Sequence, residues 1–231
     1  DSLWLTWARS LDNLHSAIFM FDTKNQKRQQ VTSGYYSDRF PVFDPDNKYL
    51  YFATGRNFSP SYSDVEGTFI YANTTQIAAI PLTKETPSPL LPENDEVEVK
   101  EEKAEAPADD TKKKGKKKPE KEKEEKASFE IDFDGMEERI VMLPIGPGNF
   151  GGLAAVSGKL IYHQAPNTGA ADYQAPLKYY DLEERESSTI LDNVNAFEVS
   201  ANGKKIAVYA NRGISVVNVQ AGQKANKKVS T

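Results

Sequence analysis

His15 and His163 are the only two histidines in this sequence, and they are the residues best suited to general acid–base chemistry. A Ser-His-acid triad needs a histidine as its general base, but neither histidine stands beside a Gly-x-Ser-x-Gly nucleophile elbow. His15 lies in a polar connection before an apolar run, and His163 follows the apolar run 160–162. We interpret both as loop or rim residues. The sequence therefore predicts no catalytic residue in this chain.

Metal and cofactor sites are not predicted either. The chain has no cysteine, which excludes disulfides, thiolate catalysis and cysteine-ligated zinc. Asp44-Pro45-Asp46-Asn47 and Asp132-Phe133-Asp134-Gly135 imitate the start of a calcium loop, but both lack its further ligands and closing Glu. We interpret both strings as turns. The two histidines have no ligand cluster at usable spacing.

Gly146-Pro147-Gly148-Asn149-Phe150-Gly151-Gly152 could be taken for a loop that cradles phosphate. It lacks the Lys-Ser/Thr pair of a P-loop and leads into a strand pattern where a P-loop leads into a helix. We predict that it is a crossing between two sheets.

Charge divides the 231 residues into two populations. Residues 93–126 hold 13 acids and 11 lysines in 34 positions without an aromatic residue, so this segment is predicted to be disordered. Its run Lys112-Lys113-Lys114-Gly115-Lys116-Lys117-Lys118 could be a nucleic-acid patch. Acids flank the run closely, however, and no aromatic is available for base stacking, so a solvated tether is favoured. The net charge of −5 predicts neither a nucleic-acid partner nor a membrane partner.

The rest of the chain repeats. The string Tyr49-Leu50-Tyr51-Phe52-Ala53-Thr54-Gly55-Arg56 aligns with residues 2–9 at an offset of 47, and again with residues 205–212. Leu160 marks a further unit, 46 residues before Ile206. Only the step from Leu50 to Leu160 is long, and removing an insertion of roughly 60 residues restores a period typical of one four-stranded propeller blade.

Each unit has the order strand, turn, strand, third strand and outer strand. Turn residues such as Asp44-Pro45-Asp46-Asn47 and Ser200-Ala201-Asn202-Gly203 suit a reversing hairpin, and helical periodicity is absent from the apolar segments. The sequence predicts an all-β, incomplete β-propeller of about three to four consecutive four-stranded blades. Blades are expected over residues 1–92 and 127–231, with the disordered insert at 93–126 between them. We expect the first blade to lack its innermost strand and the last to end at its outer strand, 226–231, with the true N-terminus upstream.

Several charged residues at turns and blade ends could have either a functional or a structural role. Arg9, Arg56 and Arg212 recur at one blade position. They either line a channel and bind peptide carboxylates or tie blade to blade, and we favour the structural role. Glu137-Glu138-Arg139 and Glu183-Glu184-Arg185 are interpreted as exposed turn charges.

Particular strings then resemble a known family. Residues 43–54 are similar to the blade-opening string of tricorn-type serine proteases, and residues 81–89 to the segment that leads into a charged insert in bacterial members. Ile131-Asp132-Phe133-Asp134-Gly135-Met136-Glu137-Glu138-Arg139, followed by a short apolar strand, is the most specific match. It resembles a motif of that family's second propeller.

The resemblance implies a serine peptidase with two propellers, a PDZ domain and a split catalytic domain, assembled as a homo-oligomer. This chain would then be a non-catalytic scaffold and a channel or gate for peptide substrates, in the cytoplasm or alternatively the periplasm. Two alternatives stay open. One is a TolB-like interaction module without peptidase activity, and the other is the propeller of a prolyl-oligopeptidase-type hydrolase.

Overall fold

The fold is known from a computed structural model that describes residues 3–62, 69–91, 130–171 and 173–225. Within these residues it is built from antiparallel sheets, and the helical content is one 3₁₀ turn, Glu137–Arg139. The segment 93–126, predicted to be a disordered insert, and the outer strand predicted at 226–231 lie outside the described residues.

The first sheet has three strands in the order β1-β2-β3. They are β1 (Trp4–Ser10), β2 (Ser16–Asp22) and β3 (Lys27–Gln30). The register is regular from Trp4 opposite Asp22 to Ser10 opposite Ser16. By the repeat alignment these strands correspond to the second, third and outer strands of a blade.

The second sheet has four strands in the order β4-β5-β8-β9. They are β4 (Asp38–Phe43), β5 (Tyr49–Thr54), β8 (Gln76–Pro81) and β9 (Val141–Met142). Between β5 and β8 the chain forms a separate two-stranded hairpin of β6 (Ser61–Tyr62) and β7 (Phe69–Ile70). The outer strand β9 comes from the far side of the predicted insert, pairing Met142 with Ala78. One blade is thus assembled from both sides of the charged segment.

The remaining sheets follow the same plan. The third, in the order β10-β11-β12-β13, consists of β10 (Asn149–Val156), β11 (Lys159–Ala165), β12 (Leu177–Asp181) and β13 (Ser187–Leu191). The fourth, in the order β14-β15-β16, consists of β14 (Ala196–Val199), β15 (Lys205–Ala210) and β16 (Gly213–Asn218). β5 and β15 begin where the aligned strings 49–56 and 205–212 begin, and each ends two residues before its string does.

Tight turns explain why the first two strands of the second, third and fourth sheets reverse so sharply. The Asp44 carboxylate accepts the backbone N–H groups of Asp46 (3.3 Å) and Lys48 (3.2 Å), and Asn47 takes a left-handed φ of 57°. The corresponding turns use Gly158 (φ 72°) and Gly203 (φ 68°). Residues that tolerate positive φ or bond their own backbone therefore stand where the hairpins need them.

The core lies between the sheets, face against face. Every residue of β5 is buried because both faces of its sheet are covered. Leu50 and Phe52 pack with Ile18 and Met20 of the first sheet, while Tyr49 and Tyr51 pack with the third sheet. In β15 exposed and buried residues alternate, since only one face is covered, by the third sheet. Stacking of sheets in chain order is the packing expected of propeller blades.

Contacts between neighbouring sheets concentrate on their first strands. β4 lies against β1 and β2 of the preceding sheet and against β10 of the following one. The sheets therefore converge along the edge that β4 and β10 form. The all-β propeller fold is confirmed, as an open series of blades within the described residues.

Candidate functional site

The candidate site lies along the inner edges of the blades. Within the described residues, β4, β10 and β14 each have a hydrogen-bonded neighbour strand on one side only. The free side of an edge strand presents unpaired N–H and C=O groups. Because β4 lies against β10 of the following sheet, the inner edges of these two blades converge.

A cleft of about 260 Å³ opens between two of these inner strands. Residues 151–154 of β10 line one wall, residues 195–199 on and before β14 line the other, and His163 of β11 borders it. β10 and β14 belong to different sheets, so the cleft separates two neighbouring blades at their inner edges.

Two glycines leave the backbone of β10 bare along this cleft. The register of β10 against β11 shifts between Phe150 and Gly152, which is a β-bulge at Gly151. A Cβ atom on Gly151 would lie 2.7 Å from Nδ1 of His163, whereas one on Gly152 would lie 3.7 Å from Cε1 of Phe197. The histidine ring therefore requires glycine at position 151, whereas a Cβ at position 152 would make only an ordinary van der Waals contact with Phe197.

His163 has a defined orientation beside this bulge. Its Nε2 lies 2.7 Å from the Val194 carbonyl oxygen, which can only accept, so Nε2 carries the proton and Nδ1 is turned toward Gly151. The ring centroid lies 6.4 Å from that of Phe197. The prediction of a loop or rim position for His163 is wrong: the residue lies within β11 and is half-buried, because the strand continues past Tyr162.

His15 does lie in a loop, between β1 and β2, and is exposed. Its Nδ1 is 3.3 Å from the Gly34 carbonyl oxygen. The glycine-rich string 146–152 is a crossing only over its first three residues, because β10 already begins at Asn149. The prediction of a crossing is therefore wrong for residues 149–152, which form the start of that strand.

Arg56 connects three segments of the chain. Its guanidinium binds the Asp38 carboxylate at 2.5 Å and the Glu137 carboxylate at 2.6 Å, and it donates to Oγ1 of Thr54 at 2.9 Å. Glu137 in turn accepts from the backbone N–H and the hydroxyl of Ser33 in the crossing from the first blade. This cation therefore ties together segments of the second blade, and Glu137 extends the network to the crossing from the first blade. The role is structural, as favoured from the sequence.

The other two arginines of the repeat position differ. Arg9 and Arg212 are exposed, and neither forms an ion pair within the described part of the chain. Neither Asp38 nor Glu137 has a counterpart in the aligned units, so among the described residues this arginine position has an ion-pair network in the second blade only.

The interpretation of Glu137-Glu138-Arg139 as exposed turn charges is wrong for two of the three residues. Glu137 is held by Arg56 and Ser33, and Arg139 donates to the carbonyl oxygens of Pro81, Asp132 and Asp134. Only Glu138 is exposed. In the second string Glu183 and Glu184 are exposed as predicted, while Arg185 donates to the carbonyl oxygen of Leu91.

The two strings that imitate calcium loops behave as turns. Burial raises the pKa of the Asp44 carboxyl, although two backbone N–H groups oppose this. Asp134 pairs with Lys84 at 2.9 Å, and the hydrogen bond from Lys84 holds the pKa of Asp134 below its usual value. Among the residues that the structure describes, no cluster of three or more His, Asp or Glu side chains could hold a metal ion.

One end of the blades carries exposed aromatic and aliphatic side chains. Antiparallel strand order places the loops after β1, β5 and β11 and the crossings between blades at the same end, which we call the loop end. Large exposed residues cluster in these segments: Leu14, Tyr35, Tyr36, Phe58, Tyr71 and Tyr173. The rings of Phe58 and Tyr71 lie 6.1 Å apart.

Sequence reasoning did not find this cleft. Its only signal was the pair Gly151-Gly152 at the start of a strand, a pattern that often marks a bulge or a close backbone approach. The described part of the chain contains no helix with the length and apolarity needed to cross a bilayer.

Comparisons with known proteins identify a family with this architecture. The family model described as the tricorn protease second beta propeller domain matches residues 1–220. The chain is similar to tricorn protease homolog 1 of Streptomyces coelicolor, with 23% identity over 94% of this chain and 20% of that protein. It is also similar to the tricorn protease of Thermoplasma volcanium, with 38% identity over 31% of this chain and 7% of that protein.

Solved structures show the same fold. The crystal structure of the tricorn protease superposes with a TM-score of 0.68 at 19% identity, covering 99% of this chain and 22% of that one. TolB from Acinetobacter baumannii superposes with a TM-score of 0.52 at 12% identity, covering 95% of this chain and 39% of that one. The chain spans about a fifth of the length of the Streptomyces relative. On the match over residues 1–220, the chain belongs to the family of tricorn protease second β-propeller domains.

Proposed function

We propose that this chain is a non-catalytic β-propeller segment of a tricorn-like serine peptidase, acting as scaffold and as channel or gate for peptide substrates. Family membership supplies the peptidase context. The observation that carries the channel role is the convergence of β4 and β10, which are both edge strands of their sheets. Extended peptides hydrogen-bond readily to such edges.

The loop end supports the same role. Exposed aromatic side chains such as Phe58, Tyr71 and Tyr173 offer large contact area at low entropic cost to an approaching chain. The opposite end carries the tight turns with Asp46, Lys48 and Glu183 exposed. The two mouths of the proposed channel thus differ in chemistry.

The partners follow from the same proposal. The remaining domains of the polypeptide would include a PDZ domain and a catalytic domain that supplies the nucleophilic serine. The peptidase would act in the cytoplasm as a homo-oligomer.

A blockage experiment tests the channel. The chain has no cysteine, so Arg39→Cys on the inner strand β4 can be labelled with a bulky maleimide in the full-length protein after cysteines elsewhere are replaced. Arg39 is exposed. We expect the label to slow hydrolysis of a long peptide at least about tenfold, because passage past the inner edge is narrowed.

The matched control is Gln29→Cys on the outer strand β3, where the residue is also exposed. The same label there should leave turnover unchanged. An unaltered rate with labelled Arg39→Cys would refute the channel role.

A second candidate function is a TolB-like protein-interaction module without peptidase activity. The exposed aromatic cluster of the loop end favours it, since contiguous apolar surface often marks a docking face. This alternative predicts that labelled Arg39→Cys has no peptide hydrolysis to slow, because the full-length protein would lack it.

A further inference from the structure

The cleft between β10 and β14 has features that go beyond a passive channel wall. It lies at a bulge on a free strand edge, and bulges near functional sites re-aim or terminate strand pairing. Its volume of about 260 Å³ falls below the roughly 300–1,000 Å³ of pockets that enclose a small molecule. It therefore suits a short stretch of an extended chain better than a whole ligand.

The wall formed by β10 presents main chain and little side chain. Gly151 and Gly152 carry no side chain, and the free side of β10 has no hydrogen-bonded neighbour among the described residues. Glycine in a strand often marks a place where another backbone approaches closely. The N–H and C=O groups of this edge are therefore open to a second strand.

Two aromatic rings that border the cleft, those of His163 and Phe197, have fixed positions. His163 is fixed by its hydrogen bond to the Val194 carbonyl, 2.7 Å away, and its ring lies against that of Phe197 from the next blade. Gly151 cannot take a larger side chain without displacing this ring. Two blades thus set the width of the cleft through one histidine and one phenylalanine.

We propose that this cleft is a main-chain subsite, in which an extended peptide adds as a strand to the free edge of β10 at Gly151 and Gly152. This inference rests on the proposed channel function and specifies where the channel holds its substrate and by what chemistry. Because strand addition uses backbone hydrogen bonds, recognition is independent of the peptide's side chains at this point. His163 is a positioning residue that keeps the cleft open.

The variant Gly152→Val tests the subsite. Its Cβ would meet Phe197 at an ordinary contact distance of 3.7 Å, so the side chain fills the cleft without a backbone clash. The probe is a fluorescein-labelled peptide of ten alanine and serine residues, titrated by anisotropy into full-length protein with a serine-directed phosphonate present. We expect binding about tenfold weaker than wild type, as for the loss of one or two backbone hydrogen bonds.

The control is Gly146→Ala. A Cβ there has nothing within 4 Å, and the crossing that carries it belongs to the same end of the blades. Binding by this variant should match wild type.

A second experiment changes the peptide and uses only the wild-type protein, so its result does not depend on whether Gly152→Val folds correctly. The same decamer with alternate amides N-methylated cannot donate those backbone hydrogen bonds, so wild-type protein should bind it about tenfold more weakly. A decamer of scrambled, different side chains should bind within about twofold of the first.

Equal binding of the methylated and unmethylated peptides, or wild-type affinity in Gly152→Val, would overturn the subsite. The channel is judged separately by the labelled Arg39→Cys protein. If that label slows turnover while Gly152→Val binds normally, the subsite is wrong and the channel stands. If the label has no effect, the channel fails, and so does the subsite that rests on it.

Discussion

At the scale of single residues, Arg56 shows that one repeat position can have different energetics in different blades. Its side chain is 12% exposed and its partner Asp38 is fully buried, while Arg9 and Arg212 at the aligned positions are exposed. Removing one partner of a buried ion pair leaves a charge in a low-dielectric site without compensation. The residue is arginine in all three blades, and its surroundings decide how much it contributes to the free energy of unfolding.

We therefore expect Arg56→Ala to lower the free energy of unfolding by about 3 kcal/mol or more, because Asp38 keeps a buried charge. Arg212→Ala should change it by less than about 0.5 kcal/mol, as is usual for exposed positions. Chemical denaturation of both variants checks this. Equal destabilisation by the two substitutions would contradict the assigned role.

Tyr49 and Tyr51 offer a second matched pair on one strand. The Tyr49 hydroxyl donates to the Pro87 carbonyl oxygen at 2.9 Å, whereas the buried Tyr51 hydroxyl has no hydrogen-bond partner within the described residues. Burial raises the pKa of Tyr51, so the phenol stays neutral. A buried polar group without a partner costs free energy.

Tyr51→Phe is accordingly expected to keep or raise the free energy of unfolding, and Tyr49→Phe to lower it by about 1 kcal/mol. Urea denaturation with both variants measures the difference. A clear loss of stability in Tyr51→Phe would show that its hydroxyl has a partner after all.

At the scale of elements, the turn after β4 holds a buried carboxylate. Burial raises the pKa of Asp44 above its ordinary value near 3.8, so the folded state binds this proton more tightly than the unfolded state. The protonated Asp44 carboxyl therefore contributes to the free energy of unfolding. This contribution is fully present below the pKa of Asp44 in the unfolded chain and is lost as the pH rises through its pKa in the folded chain.

Relative to Asp44→Asn, the wild-type chain should therefore lose stability as the pH rises upward from about 4, the unfolded value. The comparison needs denaturation curves of both proteins at a series of pH values. Asp192→Asn, at an exposed position, controls for the substitution itself. A gap between wild type and Asp44→Asn that widens in favour of wild type with rising pH would contradict the burial argument.

The second blade must hold its outer strand across the predicted insert. The backbone N–H of Asp132 donates to the carbonyl oxygen of Leu82 at 3.0 Å. The backbone N–H of Lys84 donates to the Asp132 carboxylate at 3.0 Å, and the side chain of Lys84 pairs with that of Asp134. Ile131 and Met136 are buried in the core between the first two blades. These contacts join the two flanks of the segment independently of what lies between them.

Replacing residues 93–126 by about ten Gly/Ser residues, a flexible linker, should therefore leave the fold and its stability nearly unchanged. Circular dichroism and thermal denaturation of the shortened protein measure this. Loss of soluble protein would refute the interpretation of the segment as a disordered tether.

At the scale of the whole molecule, the outermost sheets have open apolar faces. Tyr209, Ile214 and Val216 on the fourth sheet are 47%, 46% and 51% exposed, and Leu5 on the first sheet is 50% exposed. Inner blades such as the second bury both faces. Exposed faces of this kind favour association.

This chain expressed by itself should consequently aggregate or unfold with low cooperativity. Replacing Tyr209, Ile214 and Val216 by Lys or Thr should raise the yield of soluble monomer, because charges and hydroxyls on an open face oppose association. Analytical ultracentrifugation and thermal scans provide the measurement. A sharp, reversible two-state transition of the unmodified monomer would count against this account of the open faces.

The sequence by itself determined the repeat, the order of the strands and the turns, because alternating apolar residues and turn residues such as Asn47 and Gly203 act over a few positions. It also carried the family, through strings such as residues 131–139. Local patterns of this kind do not depend on which sheet packs against which.

Only the tertiary structure decided which Arg of the repeat is buried, that Glu137 reaches Ser33 from 104 residues away, and that Gly151 and Phe197 border one cleft. These contacts join residues from different blades, so their partners follow from how sheets stack around an axis. Spacing along the chain encodes each strand, whereas the distance between side chains of separate blades is set by packing of the whole.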